Sequence, residues 1–543
     1  MQYSNSLSET LKWPLAVLIA VVSYFVWPPT FLGFVPYPTA FEWPTADVFF
    51  ALERAKDPHF LIHDFFTNSS SDISPRTPYM WFIIALTRLL QTDYYTILFV
   101  LKTLLVVFLP VLVFWMLAAI PLGCEDRPQA VCKKYIILAI GIAICQWPPL
   151  VDEVQYAIWR PLPPLGVPQG IAYLLVVTGW LLFQRDTRTG YVLGSVTLFV
   201  ATLIHGANTI FVSGFMLLAS TSVPMFRTRL ILVLLSILPA VLLADNYFGS
   251  EFKLPSATFI ELYIKEAPFH RHHYLPEVFH RDIFRHMMIY FGLLNILAFI
   301  FKYRRLSYLG LVFWASYAAA IALQSIVVNY IPSRSLALLG PVRYAEMGYF
   351  MLVLLTAGIA AHLPDNLLKK IPSISQTAHQ AIKVACMLAC IALALYGMMQ
   401  KDDPKSLLRA EQPQLFNWIE THTKPDDVFS IPLETGWKFQ ITTTVIAKRA
   451  VYYAGFMAFN DKYIVETMAR KNWLYGSYKE WNALHTNDGG FYCHILDTKR
   501  IRAASQAFPL QWMLMANECV DKRLDGLPVA YKDARFTIFH VVP

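Results

Sequence analysis

The chain has 543 residues, of which 56% are hydrophobic, 15% aromatic and only 15% charged. With a mean hydropathy of +0.44, this excludes an ordinary soluble domain, in which about 25% of residues are charged, and points to a polytopic α-helical membrane protein. The net charge is +8, but the basic excess sits in short loops between apolar runs, so it reports orientation in a membrane and not a nucleic-acid partner.

Taken in chain order, the first apolar run, Trp13 to Trp27, carries no small-residue cleavage pattern and reads as a retained signal anchor. Runs approaching the roughly 20 apolar residues that a span needs recur at 12–33, 94–119, 135–149, 167–184, 190–206, 208–223, 228–244, 284–302, 307–328, 343–362 and 380–399. The shorter apolar segment 77–91 is expected to lie in the membrane interface. The pair 190–206 and 208–223 has a tight turn at His205, Gly206, Ala207 and Asn208, which predicts a helical hairpin.

Basic residues mark alternate loops: Lys12, then Arg127, Lys133 and Lys134, then Arg185 and Arg188. Arg227 and Arg229, Lys302, Arg304 and Arg305, and Lys369 and Lys370 continue the series. The positive-inside rule places these loops in the cytoplasm, giving an N-in, C-out chain of about eleven spans in a plasma membrane. The basic 245–283 loop runs against that rule. Residues 1–400 form the membrane domain, with a long first outer loop at 34–79. From 401 to 543 the composition turns mixed, and strand-like runs at 427–432 and 535–542 with helical patterns near 411–422 and 459–483 predict a small outer α/β domain. Outside is oxidising, so Cys493 and Cys519 are either a disulfide or two buried thiols. Neither these nor the other five cysteines have a CxxC spacing.

Candidate chemistry gathers in the outer loops. Asp47, at the head of an expected short helix (Asp47 to Ala55), is either a helix-capping acid or a carboxylate able to deprotonate a hydroxyl or hold a divalent metal. Asp64 follows in the same loop. In the Pro148–Gly170 stretch, Asp152 and Glu153 are candidate metal ligands, and Arg160 is a candidate phosphate ligand unless it pairs locally with them. Residues 268–286 hold five histidines and three arginines, including Arg271, His272 and His273. That mixture suits a phosphate, or lipid headgroups at the interface, better than a cation. Arg343 at the head of a span either clamps a phosphate or pairs with Glu346. His205 at the hairpin turn is either a hydrogen-bonded corner or a ligand. The sequence contains no nucleophile elbow, Walker loop, dinucleotide fingerprint or HExxH.

One span, a long outer loop with an Asp-led DVFFALER helix from Asp47, and the SPRTPYMW lead from Ser74 into an interfacial helix together resemble the GT-C superfamily of membrane glycosyltransferases. Val48 follows Asp47 where the protein mannosyltransferases carry an Asp-Glu pair. The chain also resembles a set of uncharacterised bacterial multi-spanning proteins through four features. These are the Asp57–Phe66 stretch, His205 at an outer turn, the HHYLP segment from His272, and WIExxTxPDDVF from Trp418.

The GT-C resemblance implies a bacterial inner-membrane enzyme that moves a sugar from a polyprenyl-phosphate donor to an outer acceptor. Asp47 would act as base or metal ligand, with Asp64 or Asp152 assisting. Arg271, His272, His273 and Arg343 would hold the donor phosphate, and Arg160 and His205 are further substrate ligands. Membrane lipids are the expected surroundings, and a divalent metal is a candidate cofactor. The rival expectation is a non-enzymatic transporter or assembly component for a lipid or polysaccharide, which ionisable residues buried in the spans would favour.

Overall fold

The computed structural model describes residues 5–26, 43–64, 67–68, 77–144, 167–220, 225–247, 253–266, 274–275, 281–363, 375–399, 412–432, 447–453, 461–477, 480 and 492–542. The helices begin with α1 (Asn5–Val26), α2 (Trp43–Lys56), α3 (Thr77–Leu90), α4 (Tyr94–Ala118), α5 (Pro128–Ile144) and α6 (Val167–Phe183). They continue with α7 (Arg188–Ala219), α8 (Phe226–Tyr247), α9 (Arg281–Ile300), α10 (Arg304–Asn329), α11 (Gly348–His362) and α12 (Gln376–Met399). The last part of the chain alternates α13 (Pro413–His422), β1 (Val428–Ser430), β2 (Ala450–Val451), α14 (Asp461–Tyr475), α15 (Thr498–Ala507), β3 (Trp512–Ala516), β4 (Val529–Lys532) and β5 (Phe536–His540). Among the described residues, seven helical segments are long and apolar enough to cross a membrane, with α7 as one of the seven. The protein is therefore a helical membrane protein with a small sheet near its C-terminus.

The chain divides into two compact units. Unit 1 comprises Met1–Leu32, Leu90–Asp245 and His272–Lys401, and unit 2 comprises Gly33–Leu89, Asn246–Arg271 and Asp402–Pro543. The sequence reading put the 34–79 loop with the spans. It clusters instead with the C-terminal region, to which Asp64 is tied by the Val451 amide at 3.3 Å.

One end of unit 1 is built from basic residues that cap helix ends. The four C-terminal carbonyls of a helix lack intrahelical donors, and a lysine or arginine can supply them. Lys134 Nζ donates to the carbonyls of Ala118 (2.9 Å) and Ile120 (2.7 Å) at the end of α4. Arg305, opening α10, donates to Ala219 O at 2.6 Å and to Pro121 O at 3.3 Å. Lys133 reaches Leu363 O after α11 at 2.8 Å, and Lys12 lies over the Tyr135 ring. The starts of α1, α5, α10 and α12 and the ends of α4, α7 and α11 therefore share one basic end, since Thr10 of α1 also bonds His379 of α12 at 2.6 Å.

The hairpin expected around His205 exists inside α7, although hydrogen bonding runs almost unbroken through it. His205 has non-helical torsions (φ −155°, ψ 88°). Gly179 of α6 packs against Gly194 O, while its neighbour Trp180 donates toward Ser213 Oγ at 3.5 Å. In a straight helix Gly194 and Ser213 would lie roughly 28 Å apart, too far to touch adjacent residues of α6. The chain therefore reverses at His205. Glycine makes the close approach possible, because a Cβ at Gly194 would meet Phe183 at 2.5 Å.

Among the described residues, unit 2 carries a five-stranded sheet in the order β2-β1-β3-β5-β4, parallel across β2-β1-β3 and antiparallel across β3-β5-β4. One face, with Val428, Met513, Met515 and Phe539, packs on Leu474 of α14 and Ile501 of α15. Cys493 and Cys519 are joined by a disulfide inside that core. Asp461 Oδ2 accepts the Leu254 amide at 2.9 Å, which ties the 246–271 stretch to α14.

Candidate functional site

Unit 1 holds a buried polar layer at the end away from its basic caps. It is centred on a 3-10 turn, Pro341–Met347, preceded by the short helix Arg334–Leu339. Sequence reading placed Arg343 at the head of a span. The α-helix begins instead at Gly348, because the left-handed Gly340 (φ 63°) ends the preceding helix and the chain tightens before resuming. Arg343 is only 6% exposed, and its amide donates to Gly340 O at 2.8 Å. A Cβ at Gly340 would lie 3.0 Å from the Tyr274 ring and 3.2 Å from Arg343 Cδ. Glycine is thus required both by torsion and by the two side chains closing on it.

The rest of the layer holds this turn in place. Gln324 of α10, with no exposed surface, donates from Nε2 to Tyr274 O at 2.8 Å. Its Oε1 and Gln169 Oε1 at the head of α6 have no hydrogen-bond partner among the described residues. Tyr344 packs on Phe211 of α7 and Phe313 of α10, and the Tyr173 hydroxyl lies 4.0 Å from Met347 sulfur. At the hairpin turn, Thr209 Oγ1 donates to His205 O at 3.2 Å, and the Asn208 amide makes a long 3.5 Å approach to His205 Nδ1. His205 is thereby the corner residue that starts the second half of α7. An arginine, two primary amides and several tyrosines inside an apolar bundle can bind a phosphate and hydroxyl groups.

The remaining sequence candidates fall elsewhere. Asp47 does not open its helix. Helix α2 starts four residues earlier, at Trp43, with Pro44 suited to a first turn, so Asp47 lies in the second turn and the capping role is removed. Asp64 belongs to unit 2, is 2% exposed, and serves a structural purpose. Its Oδ2 accepts from Thr67 N (2.8 Å) and Thr67 Oγ1 (2.6 Å), and its Oδ1 from Val451 N (3.3 Å). Strand β2 is a sheet edge, and Asp64 satisfies an edge amide that would otherwise be buried without an acceptor. Burial raises the Asp64 carboxyl above its ordinary value, against the bonds from Thr67 and Val451 and the nearby Arg470. Asp152, Glu153, Arg160, Arg271, His272 and His273 lie outside the described residues. Among the described residues no group of three or more His, Cys, Asp or Glu is placed to hold a metal.

Gln324 and Tyr344 were missed by sequence reading. A lone glutamine in the run AIALQSIVV was a signal for the first, but nothing distinguished Tyr344. Lys471 in unit 2 was missed too. It is 2% exposed, and burial lowers its ammonium to about 8, against the attraction of Glu266. Between about pH 8 and the unfolded value of 10.5 the unfolded chain binds more protons, so stability should rise with pH across that window. Lys471→Met should remove that rise and stabilise the protein at pH 7 by on the order of 1–3 kcal/mol, read as the unfolding midpoint against pH. No family model matches the chain, and no curated protein matches it.

Proposed function

We propose that the protein is a membrane glycosyltransferase of GT-C type, taking a sugar from a polyprenyl-phosphate donor to an acceptor outside the cytoplasm. The observation that carries this reading is Arg343, a cation buried beside Gly340 and Tyr274 in an apolar bundle. A guanidinium at such a site favours an anion with planar, bidentate oxygens, and a lipid-linked phosphate brings one to that depth. In this account eleven crossings, with α7 counted twice, put the basic caps in the cytoplasm and the unit 2 segments outside the bacterial inner membrane.

Chemically, the acceptor hydroxyl gives its proton to a carboxylate base and its oxygen attacks the anomeric carbon. The anomeric C–O bond to phosphate breaks, and polyprenyl phosphate leaves with its developing charge held by Arg343. The GT-C resemblance offers Asp47 as that base. Asp47→Asn should lower transfer of a radiolabelled sugar from its polyprenyl phosphate by about 100-fold or more, with expression and unfolding temperature retained. Unchanged transfer removes Asp47 from the mechanism.

A second reading, a transporter or assembly component, is favoured by one observation. Lys102 is 4% exposed within α4, the kind of charge that substrate pathways place inside a span. Polyprenyl-phosphate binding with no transfer in any acceptor mixture would favour it.

A further inference from the structure

Unit 2 contains a cluster of aromatic and imidazole rings that the proposed chemistry does not use. It lies on the sheet face opposite the disulfide core. Strand register puts Phe429, Trp512 and His540 side by side across β1, β3 and β5. Trp512 lies 4.7 Å from His540 and 6.2 Å from Phe429 between ring centroids. From α13, Trp418 meets Trp512 at 5.7 Å and Tyr531 of β4 at 5.5 Å, while His422 stacks on Trp418 at 5.0 Å with planes 6° apart. Phe429 is buried, Trp418, Trp512 and Tyr531 are half-buried, and His422 and His540 are exposed.

Two carboxylates fix the polar edges of these rings. Trp512 Nε1 donates to Asp427 Oδ2 at 2.8 Å, and the Tyr531 hydroxyl donates to Asp533 Oδ2 at 2.8 Å. Asp427 also accepts the Lys424 amide at 2.8 Å. The indole and phenol are therefore held in orientation, with their polar atoms turned to the protein. Sheet packing does not need two tryptophans and two histidines at a solvent-facing strand end, where burial gives little return.

We propose that this cluster is a carbohydrate-binding platform that takes a neutral pyranose of a glycan chain. A pyranose has an apolar C–H face that stacks on an aromatic ring and a rim of hydroxyls that bonds imidazole nitrogen. Indole, phenol and exposed imidazole supply both. A quaternary ammonium does not fit, because rings 5.5–5.7 Å apart touch one another and leave no cage between them. A nucleic acid strand is disfavoured by Asp427 and Asp533 behind the rings, which repel its phosphates. Taking the bound glycan as the acceptor rests on the transferase reading; the binding itself does not.

The test uses the full chain in lipid nanodiscs, free of sugar-headed detergent. The probes are maltotetraose, mannotetraose and the N-acetylglucosamine tetramer, with tetramethylammonium and AMP as comparators, read by saturation-transfer NMR and calorimetry. At least one tetrasaccharide should bind, with saturation strongest on its ring C–H protons. Exposed His422→Ala and His540→Ala should each weaken it about tenfold, and Trp418→Ala should abolish it. Binding of no tetrasaccharide, binding unchanged in all three variants, or tighter binding of tetramethylammonium or AMP would overturn the proposal. Polyprenyl-phosphate binding is measured in parallel. Sugar binding that persists in a protein indifferent to the donor would sink the transferase reading and leave the platform standing, and the reverse pattern would do the opposite.

Discussion

Replacing Arg343 by glutamine should weaken binding of polyprenyl phosphate by about 100-fold or more, because a charge-assisted bidentate contact is worth ~2–4 kcal/mol when water is excluded. Arg343→Lys should fall between, losing about tenfold, since an ammonium keeps the charge but not the planar fork. The lysine variant also separates function from folding. Its aliphatic stem still packs near Gly340 and Tyr274, where the Arg343 Cδ now lies, so its unfolding temperature should stay close to that of the parent. A structural arginine would give another pattern: both variants less stable, and lipid binding proportional to the folded fraction. In a transfer assay the glutamine variant should lose turnover as well as affinity, because the phosphate gains charge as the sugar leaves.

The second large effect is on stability. Asp64→Ala should lower the stability of unit 2 by about 3 kcal/mol, since buried donors left without an acceptor cost ~1–3 kcal/mol each. The affected donors are the Thr67 amide, the Thr67 hydroxyl and the Val451 amide. The loss is partly offset because the buried carboxylate is itself disfavoured, as its raised pKa records. The folded state holds the Asp64 proton more tightly than the unfolded chain, so this residue favours the fold most in acid and less as pH rises through its folded pKa. Asp64→Asn should abolish that dependence while losing less stability than alanine. Thermal unfolding of the purified protein across pH 3–8 reads both effects. Loss of sugar transfer with unchanged stability would return Asp64 to the active site.

Much of the architecture was legible because it follows from periodicity and composition. Apolar runs located the long helices, and four residues around His205 were enough to locate the reversal inside α7. The runs near Val428 and Phe536 located two of the five strands. What stayed hidden depends on contacts between residues distant in sequence. Asp64 reads from sequence as a candidate catalytic acid because its partner, Val451, lies nearly 400 residues away. Lys471 sits in a polar helix whose pattern gives no hint of burial against Glu266. Helix α2 starts at Trp43 and not at Asp47, because Pro44 suits a first turn better than the later acid marks one. Of the site, Arg343 is visible as a basic residue at the end of a span and His205 as a polar residue at a hairpin turn. The Gly340–Tyr274–Gln324 support was not, because it is assembled from three separate segments.

The claim on which the account turns is that this bundle binds a phosphate-headed isoprenoid through Arg343. Native mass spectrometry of the protein extracted with its lipids tests it most directly, comparing the parent chain with Arg343→Gln. Retention of a polyprenyl phosphate or its glycosylated form by the parent, and its loss from a folded glutamine variant, is the predicted result. A parent chain that retains only bulk phospholipid, or a variant that holds the isoprenoid equally well, would contradict it.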